Sequence, residues 1–189
     1  MNVFTYVIAT DRGSAPNYDP PMATLAICKP KIRLAAHVGD LVVAFTGSKL
    51  SAEPHAVCWA GIVSEKLTFA EYWDDERFAT KKPGRSETPD NIYRSRGGRI
   101  EQEPNSSHTL RHADRDIGGG YVLAFDPCWY FGAVGPVLPA SFGLRMIRGR
   151  RGHGRVDLTE VGWKTLRGWL ENEPSRQSSV DAKLASAAC

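Results

Sequence analysis

Hydrophobic and β-branched residues of this chain occur in short runs separated by Gly, Pro and Asp, a pattern typical of strands joined by turns. The run at residues 41–46 is the clearest strand, since five apolar residues precede a threonine. Gly61 lies inside another apolar run and indicates a β-bulge or a close approach of two backbones. The sequence predicts strands at residues 3–10, 22–27, 41–46, 56–63, 121–125, 128–131 and 143–147.

Three short helices are predicted from local start and stop signals. Pro30 can occupy the first turn of a helix over residues 31–36, where its missing N–H is not needed. Thr68 and Glu71 have the spacing of a capping box, which predicts a helix over 69–75. A second box with this spacing, Asp157–Glu160, starts a helix that continues to about residue 173 and ends before Pro174.

Several short strands combined with short helices predict an α+β fold, and we expect a small mixed β-barrel with a C-terminal helix. Residues 79–120 are polar and without periodicity, so they are predicted to form one long loop. We expect one domain over residues 1–173. The Ser- and Ala-rich residues 174–189 are predicted to be a flexible tail.

Composition excludes several classes of protein. The chain has 189 residues, of which 42% are hydrophobic and 24% charged, and these values exclude a disordered chain, a collagen and a coiled coil. The apolar run at 41–45 is too short for a membrane helix, and the N-terminus has no signal-peptide pattern. Four cysteines without a CxxC pair are typical of reduced thiols, so we expect a cytoplasmic protein.

Positive charge is clustered although the net charge is only +3. Residues 141–155 hold five arginines and no acid, and residues 77–99 hold seven cations and two acids. Such clusters are suited to phosphate, or they form solvated basic loops. In the first case, replacing Arg148 or Arg151 with Ala would weaken nucleic-acid binding uniformly and flatten its salt dependence.

Cations also surround the first cysteine of the chain. Lys29, Lys31 and Arg33 follow Cys28 at the start of the predicted 31–36 helix, where free N–H groups favour an anion. We expect Lys29 and Arg33 to contact phosphate. Cys28 is either a nucleophile, because nearby cations favour a thiolate, or a buried structural residue.

Histidines provide the candidates for acid–base chemistry. His108 and His112 are four residues apart, and Asp114 follows them. The three are predicted as candidate catalytic residues. A pair of histidines with an aspartate can also bind a metal, but no further ligand is evident, so no metal site is predicted. His153 lies in the basic segment and is a candidate for contact with nucleic acid.

The remaining candidates are suited to recognition of a base. Ser48 and Lys49 follow the 41–46 strand, and strand ends are common ligand positions. Ser48 and Asn91 are predicted to bind base edges, and Lys49 to contact phosphate. Trp73 and Tyr93 are candidates for stacking on a base.

Ordered motifs over residues 3–169 resemble the nucleotide modification associated domain 2 family. The stretch 65–83 is the most specific of them. The family carries Asp-Ser-His-His before the loop, whereas this chain has Asn105-Ser106-Ser107-His108 and therefore lacks one histidine. The motifs are CKPKIR, VGD, GSK, EKLTFAEYWDDERFATKKP, DNIY, SSHTLRH, WYFG and RRGHG.

This resemblance implies a role in phage or bacterial systems that make or handle modified DNA bases, including defence systems. The order of a VGD turn, an apolar strand and an acidic helix is also similar to PUA-like and EVE-like domains, which are small barrels that bind flipped bases. That second similarity is one of fold-level pattern only.

Three functions follow from these observations. The first is a module that binds DNA or a nucleotide and reads a modified base. The second is an enzyme that acts on a nucleotide or a DNA base with His108, His112 and Asp114. The third is a protein partner in a modification or defence complex, with Trp163 expected to be exposed because Trp163 and Trp169 cannot share one narrow helix stripe. The sequence assigns no cofactor.

Overall fold

The computed structural model describes residues 1–51, 56–144 and 153–174. Strands dominate the part of the chain that it describes, and helices are short. The strands are β1 (Asn2–Ile8), β2 (Asn17–Asp19), β3 (Met22–Leu25), β4 (Leu41–Thr46), β5 (Val57–Leu67), β6 (Tyr93–Arg96), β7 (Arg99–Gln102), β8 (Val122–Tyr130) and β9 (His153–Asp157).

Seven of these strands form one mixed sheet in the order β2-β3-β8-β5-β4-β1-β9. β1 and β4 are parallel, and the other neighbouring pairs are antiparallel. β6 and β7 form a separate hairpin. The α+β class is thus confirmed. The described strands form an open sheet with β2 and β9 at its edges, so the predicted PUA-like or EVE-like barrel is not confirmed.

Four α-helices lie within the described ranges. The predicted capping box of α2 is present, since Thr68 Oγ1 accepts from Glu71 N–H at 3.2 Å and Glu71 Oε2 accepts from Thr68 N–H at 2.7 Å. The second predicted box is wrong, because Asp157 ends β9 and Thr159 caps the last helix. The helices are α1 (Pro30–Ala35), α2 (Phe69–Asp74), α3 (Ala113–Ile117) and α4 (Glu160–Asn172).

Both faces of the central strands are buried. Every residue of β4 is buried. On one face its side chains share a hydrophobic cluster with residues of α1 and β3, and on the other face they pack against α4. Successive side chains of a strand point to opposite faces. On one face Phe4, Tyr6, Val42 and Ala44 pack with Ile32, and on the other Val3, Leu41 and Val43 pack with Leu166 and Leu170.

Gly61 lies at a close approach between β5 and β8. A Cβ at this position would lie 2.8 Å from Phe125 Cβ, and the register of the two strands shifts beside it. The prediction of a bulge or close approach is confirmed. β8 is one strand rather than the two predicted, because the ladder continues on both sides of Asp126 and Pro127.

Residues 79–120 are not the single loop that the sequence predicts. They contain the β6–β7 hairpin and α3, whose elements are too short to produce a detectable hydrophobic period. The last strand is β9 rather than 143–147: Gly143 and Leu144 are outside any strand, and 145–147 lie outside the described residues. The predicted tail from residue 175 onward also lies outside them.

α4 is the longest of the described helices, with 13 residues. Trp163 is buried against the sheet with Leu166 and Leu170, so the expectation that it is exposed for a partner is wrong. Trp169 packs at the margin of the same cluster, because the apolar stripe is wide enough to hold both indoles. No helix in the described ranges is long and apolar enough to cross a membrane.

Candidate active site

The turn between β3 and α1 holds two consecutive residues in the left-handed region of backbone conformation. Cys28 has φ +61° and Lys29 has φ +41°. Non-glycine residues rarely adopt this conformation, which persists only where surrounding contacts enforce it and which clusters at functional sites. The backbone N–H of Cys28 donates to Asp116 Oδ1 at 2.9 Å, and this contact ties the turn to α3.

Three side chains from distant parts of the sequence meet at this turn. Cys28 Sγ lies 3.4 Å from His108 Nε2. His108 Nδ1 lies 2.5 Å from Asp116 Oδ2. Asp116 is fully buried, while Cys28 and His108 are partly exposed. A thiol, an imidazole and a carboxylate arranged in this order have the geometry of an activated nucleophile.

The Asp116 carboxylate is saturated by donors from its own protein. Oδ1 accepts from Cys28 N–H and lies 3.5 Å from Arg115 Nη2, and Oδ2 accepts from His108 and from the Tyr93 hydroxyl at 3.0 Å. Burial by itself raises the pKa of Asp116, but the hydrogen bonds from His108 and Cys28 N–H outweigh it and lower that pKa. Asp116 is therefore ionised at neutral pH.

His108 is held in position through both its backbone and its ring. Asn105 Oδ1 accepts from the backbone N–H groups of Ser107 and His108, which shapes the loop before α3. Burial lowers the pKa of His108, yet the hydrogen bonds with Asp116 and Cys28 raise it to about 9. The imidazole is thus protonated at neutral pH and directs Nε2 to the sulfur.

Arg33 holds the turn in place from beneath. It is fully buried and donates to the backbone carbonyls of Cys28 at 2.9 Å, Tyr121 at 2.6 Å and Asp116. Burial lowers the pKa of Arg33 to about 10, although Asp116 opposes the shift. Its donors are engaged inside the protein, so Arg33 supports the site rather than contacting phosphate as the sequence predicts.

Lys29 follows Cys28 in the turn, and His153 lies near Lys29 and Lys31. Lys29 Nζ is 4.4 Å from the centre of the Tyr6 ring and 3.5 Å from Val7 O. Burial lowers the pKa of Lys29. His153 is exposed on β9, and partial burial together with Lys31 and Lys29 lowers its pKa. Lys29 is thus a cation next to Cys28, and His153 lies within reach of the charges of Lys29 and Lys31.

Of the predicted acid–base residues, His108 alone takes part in the Cys28–Asp116 hydrogen bonds. The His112 ring is 4.7 Å from the His108 ring, and partial burial and the charges of His108 and Arg115 lower the pKa of His112. Asp114 is exposed. The carboxylate that orients His108 is Asp116 instead. Helical spacing in the sequence could have indicated this residue, since Ala113, Asp116 and Ile117 share the inward face of α3.

The residues predicted to recognise a base are scattered. Asn91 is buried and donates to Tyr72 O at 2.9 Å, so its amide is structural. Tyr93 is also buried, and its hydroxyl orients Asp116 rather than its ring facing a base. Trp73 is half-buried on α2, with Lys82 Nζ 5.0 Å from its ring centre.

Ser48 and Lys49 are exposed in the turn after β4, and no hydrogen bond or ion pair within the described ranges joins them to Cys28 or His108. Arg148 and Arg151 lie outside the described residues. Among the predicted site residues, His108, Arg33 and Tyr93 contact Cys28 or Asp116, and Lys29 directly follows Cys28.

Comparison with known families agrees with the resemblance of the motifs. The family model described as "nucleotide modification associated domain 2" matches residues 1–186. The chain belongs to this family. No curated protein and no solved structure matches the chain. Membership in the nucleotide modification associated domain 2 family links the protein to nucleotide modification, and Cys28, His108 and Asp116 all lie within the matched range.

Proposed function

We propose that this protein is an enzyme that modifies a nucleotide by nucleophilic catalysis through Cys28. The observation that carries the proposal is the 3.4 Å contact between Cys28 Sγ and His108 Nε2, with the imidazole held by buried Asp116. The strained backbone at Cys28 and Lys29 supports it, because strain of this kind is retained where a side chain must be presented for reaction. Family membership supports a nucleotide as the class of substrate.

The proposed reaction is substitution at an sp2 carbon that carries a nitrogen leaving group, such as an amide or amidine carbon on a base. In this scheme the sulfur attacks the carbon as a thiolate beside His108 protonated at Nε2, and a C–S bond forms. The C–N bond breaks as His108 gives its proton to the departing amine. Water then attacks the carbon, Nε2 takes a proton from the water, and the C–S bond breaks to restore the thiolate beside protonated His108.

Each of the three residues has a separate task in this scheme. Cys28 forms the covalent bond, and His108 carries the proton in both half-reactions. Asp116 selects the tautomer with hydrogen on Nδ1 and stabilises the imidazolium. Tyr93 and Arg33 keep Asp116 and the Cys28 turn in place, so they are positioning residues.

A metal site is the rival interpretation of the same cluster, since Cys28, His108 and Asp116 offer ligand atoms within 4.8 Å of one another. The contacts favour a nucleophile. Both Asp116 oxygens already accept hydrogen bonds, and His108 directs Nδ1 to Asp116. Arg115 Nη2 is also 3.9 Å from the sulfur, and a cation at this distance opposes binding of another cation.

The base-reading module of the sequence analysis stays a prediction. In our proposal DNA or a nucleotide is the substrate rather than a ligand that is only recognised. The cytoplasmic location, a protein partner and a place in phage or bacterial defence also stay predictions, which the cysteine pattern and the family resemblance motivate.

The test measures alkylation of Cys28 by iodoacetamide at pH 7, with peptides quantified by mass spectrometry. We expect Cys28 to react roughly tenfold faster than the thiols of the urea-unfolded chain, because His108 Nε2 lies 3.4 Å from the sulfur and a neighbouring imidazolium increases the reactivity of a thiol. His108→Ala and Asp116→Asn should remove most of this difference. Cys128, whose pKa burial raises to about 12, is the internal control and should react slowly.

A second arm searches for turnover with N-acylated deoxynucleotides as probes. Intact mass should show an acyl adduct on the wild-type protein and none on Cys28→Ser. Alkylation of Cys28 at the rate of an unfolded thiol, unchanged by His108→Ala, would overturn the proposed function.

A further inference from the structure

Arg115 is an exposed cation beside the sulfur that the proposed reaction does not use. Its Nη2 lies 3.9 Å from Cys28 Sγ and 3.5 Å from Asp116 Oδ1, and 49% of its side chain is exposed. Neither separation is that of a strong charge-assisted hydrogen bond, which is shorter than about 2.9 Å. The guanidinium therefore has donors that remain available to a ligand.

A shallow groove between α1 and α3 leads to this guanidinium. Its wall is partly apolar, from Pro30 and Leu34, and Lys31 stands on the same wall as a second cation. Asp114 is the carboxylate of the groove, and no ion pair in the described part of the chain joins it to Arg115 or Lys31. The lining residues are Pro30, Lys31, Leu34, Asp114, Arg115 and Gly118.

Two other arginines of the described surface are each neutralised by a close carboxylate. Arg77 lies 2.7 Å from Glu65, and Arg167 lies 2.7 Å from Glu171. Arg115 differs, because its neighbouring carboxylate, Asp116, lies 3.5 Å away and is paired at 2.5 Å with His108. The charge of Arg115 next to the sulfur is therefore only partly compensated, and a planar guanidinium with a nearby ammonium matches a phosphate.

We propose that Arg115 and Lys31 anchor a phosphate group of the substrate in this groove, so that the enzyme acts on a phosphorylated nucleotide rather than on a free base or nucleoside. The inference rests on the proposed function. It assigns Arg115 as the residue that selects an anionic substrate. The phosphate belongs either to a free nucleotide or to a polynucleotide, which share this chemistry.

The first experiment compares alkylation of Cys28 by iodoacetate, which is anionic, and by iodoacetamide, which is neutral. The ratio of the two rates isolates charge, because a change in the nucleophile itself alters both rates. We expect Arg115→Gln to lower the iodoacetate-to-iodoacetamide ratio about fivefold, the factor expected for loss of one charge about 4 Å away in a water-like medium. Arg115→Lys should retain most of the ratio.

Arg167→Gln is the matched control, since it changes the net charge equally on α4 and should leave the ratio unchanged. A ratio that Arg115→Gln does not lower would overturn the inference, while rapid labelling by iodoacetamide would still support the proposed function. Slow labelling by both reagents would instead contradict the proposed function.

The second experiment measures protection of Cys28 from iodoacetamide by deoxycytidine monophosphate, deoxycytidine and a single-stranded oligonucleotide. We expect the monophosphate to protect at concentrations at which the nucleoside does not, and Arg115→Gln to abolish that difference. Stronger protection by the oligonucleotide would support phosphate recognition on a polynucleotide. Equal protection by nucleoside and monophosphate would overturn the inference.

Discussion

His108 and Asp116 form a close contact in the candidate site, with 2.5 Å between Nδ1 and Oδ2. The carboxylate is fully buried and the imidazole side chain is 11% exposed, so solvent screens the pair weakly. This contact orients Nε2 toward Cys28 and keeps the imidazole protonated. It therefore links the chemistry of the site to the pH dependence of the fold.

The first prediction concerns stability against pH. The pKa of His108 is raised to about 9 in the folded protein, above about 6.5 in an unfolded chain. Its contribution to the free energy of unfolding is therefore fully present below pH 6.5 and is lost as the pH rises through 9. We expect the difference between wild type and His108→Gln to fall by up to about 3 kcal/mol over this range, measured by urea unfolding.

His112→Gln is the control, because the pKa of His112 is lowered rather than raised. It should show no such loss between pH 6.5 and 9. A difference between wild type and His108→Gln that stays constant over this window would contradict the predicted pairing with Asp116.

The second prediction concerns Arg33. Its guanidinium is fully buried and donates to three backbone carbonyl groups, so Arg33→Ala leaves these acceptors without this donor and opens a cavity. We expect a loss of about 3–5 kcal/mol in the free energy of unfolding. Lys31→Ala, on an exposed neighbour, should change it by less than about 0.5 kcal/mol. Equal effects of both substitutions would show that Arg33 is not structural.

The third prediction concerns the sheet. Gly61→Ala places a Cβ 2.8 Å from Phe125 Cβ and 2.9 Å from Trp59 Cζ3, and two packed rings cannot both move away. We expect destabilisation of about 1–3 kcal/mol by thermal or urea unfolding. Gly168→Ala on α4 meets nothing within 4 Å and should stabilise the helix by up to about 1 kcal/mol. An unchanged stability for Gly61→Ala would show that β5 and β8 lie farther apart at this position than the structure has them.

The fourth prediction separates the nucleophile from a metal ligand. Treatment of the purified protein with EDTA should leave the rate of Cys28 alkylation unchanged, because the Asp116 oxygens and His108 Nδ1 are engaged with one another. A thiolate released from a metal would react faster after chelation. Faster labelling with EDTA would therefore favour the metal site over the proposed nucleophile.

Local signals in the sequence determined much of the secondary structure. β4 was predicted with its observed bounds, because an apolar run of this length between turn residues has few alternatives. The capping box of α2 and the close approach at Gly61 were also predicted, since both depend on neighbouring residues or on the absence of a side chain. Family membership was visible in short motifs as well.

The tertiary structure decided the site. Cys28, His108 and Asp116 are separated by 80 and 8 residues, and only the docking of α3 against the turn after β3 brings them together. The sequence suggested Asp114 as the carboxylate, yet which aspartate points inward depends on the rotation of a five-residue helix. Arg33 has the charge of a residue that binds phosphate, but it is buried and stabilises the turn instead. Charge and residue type are local properties, whereas burial and partners are set by contacts between distant segments.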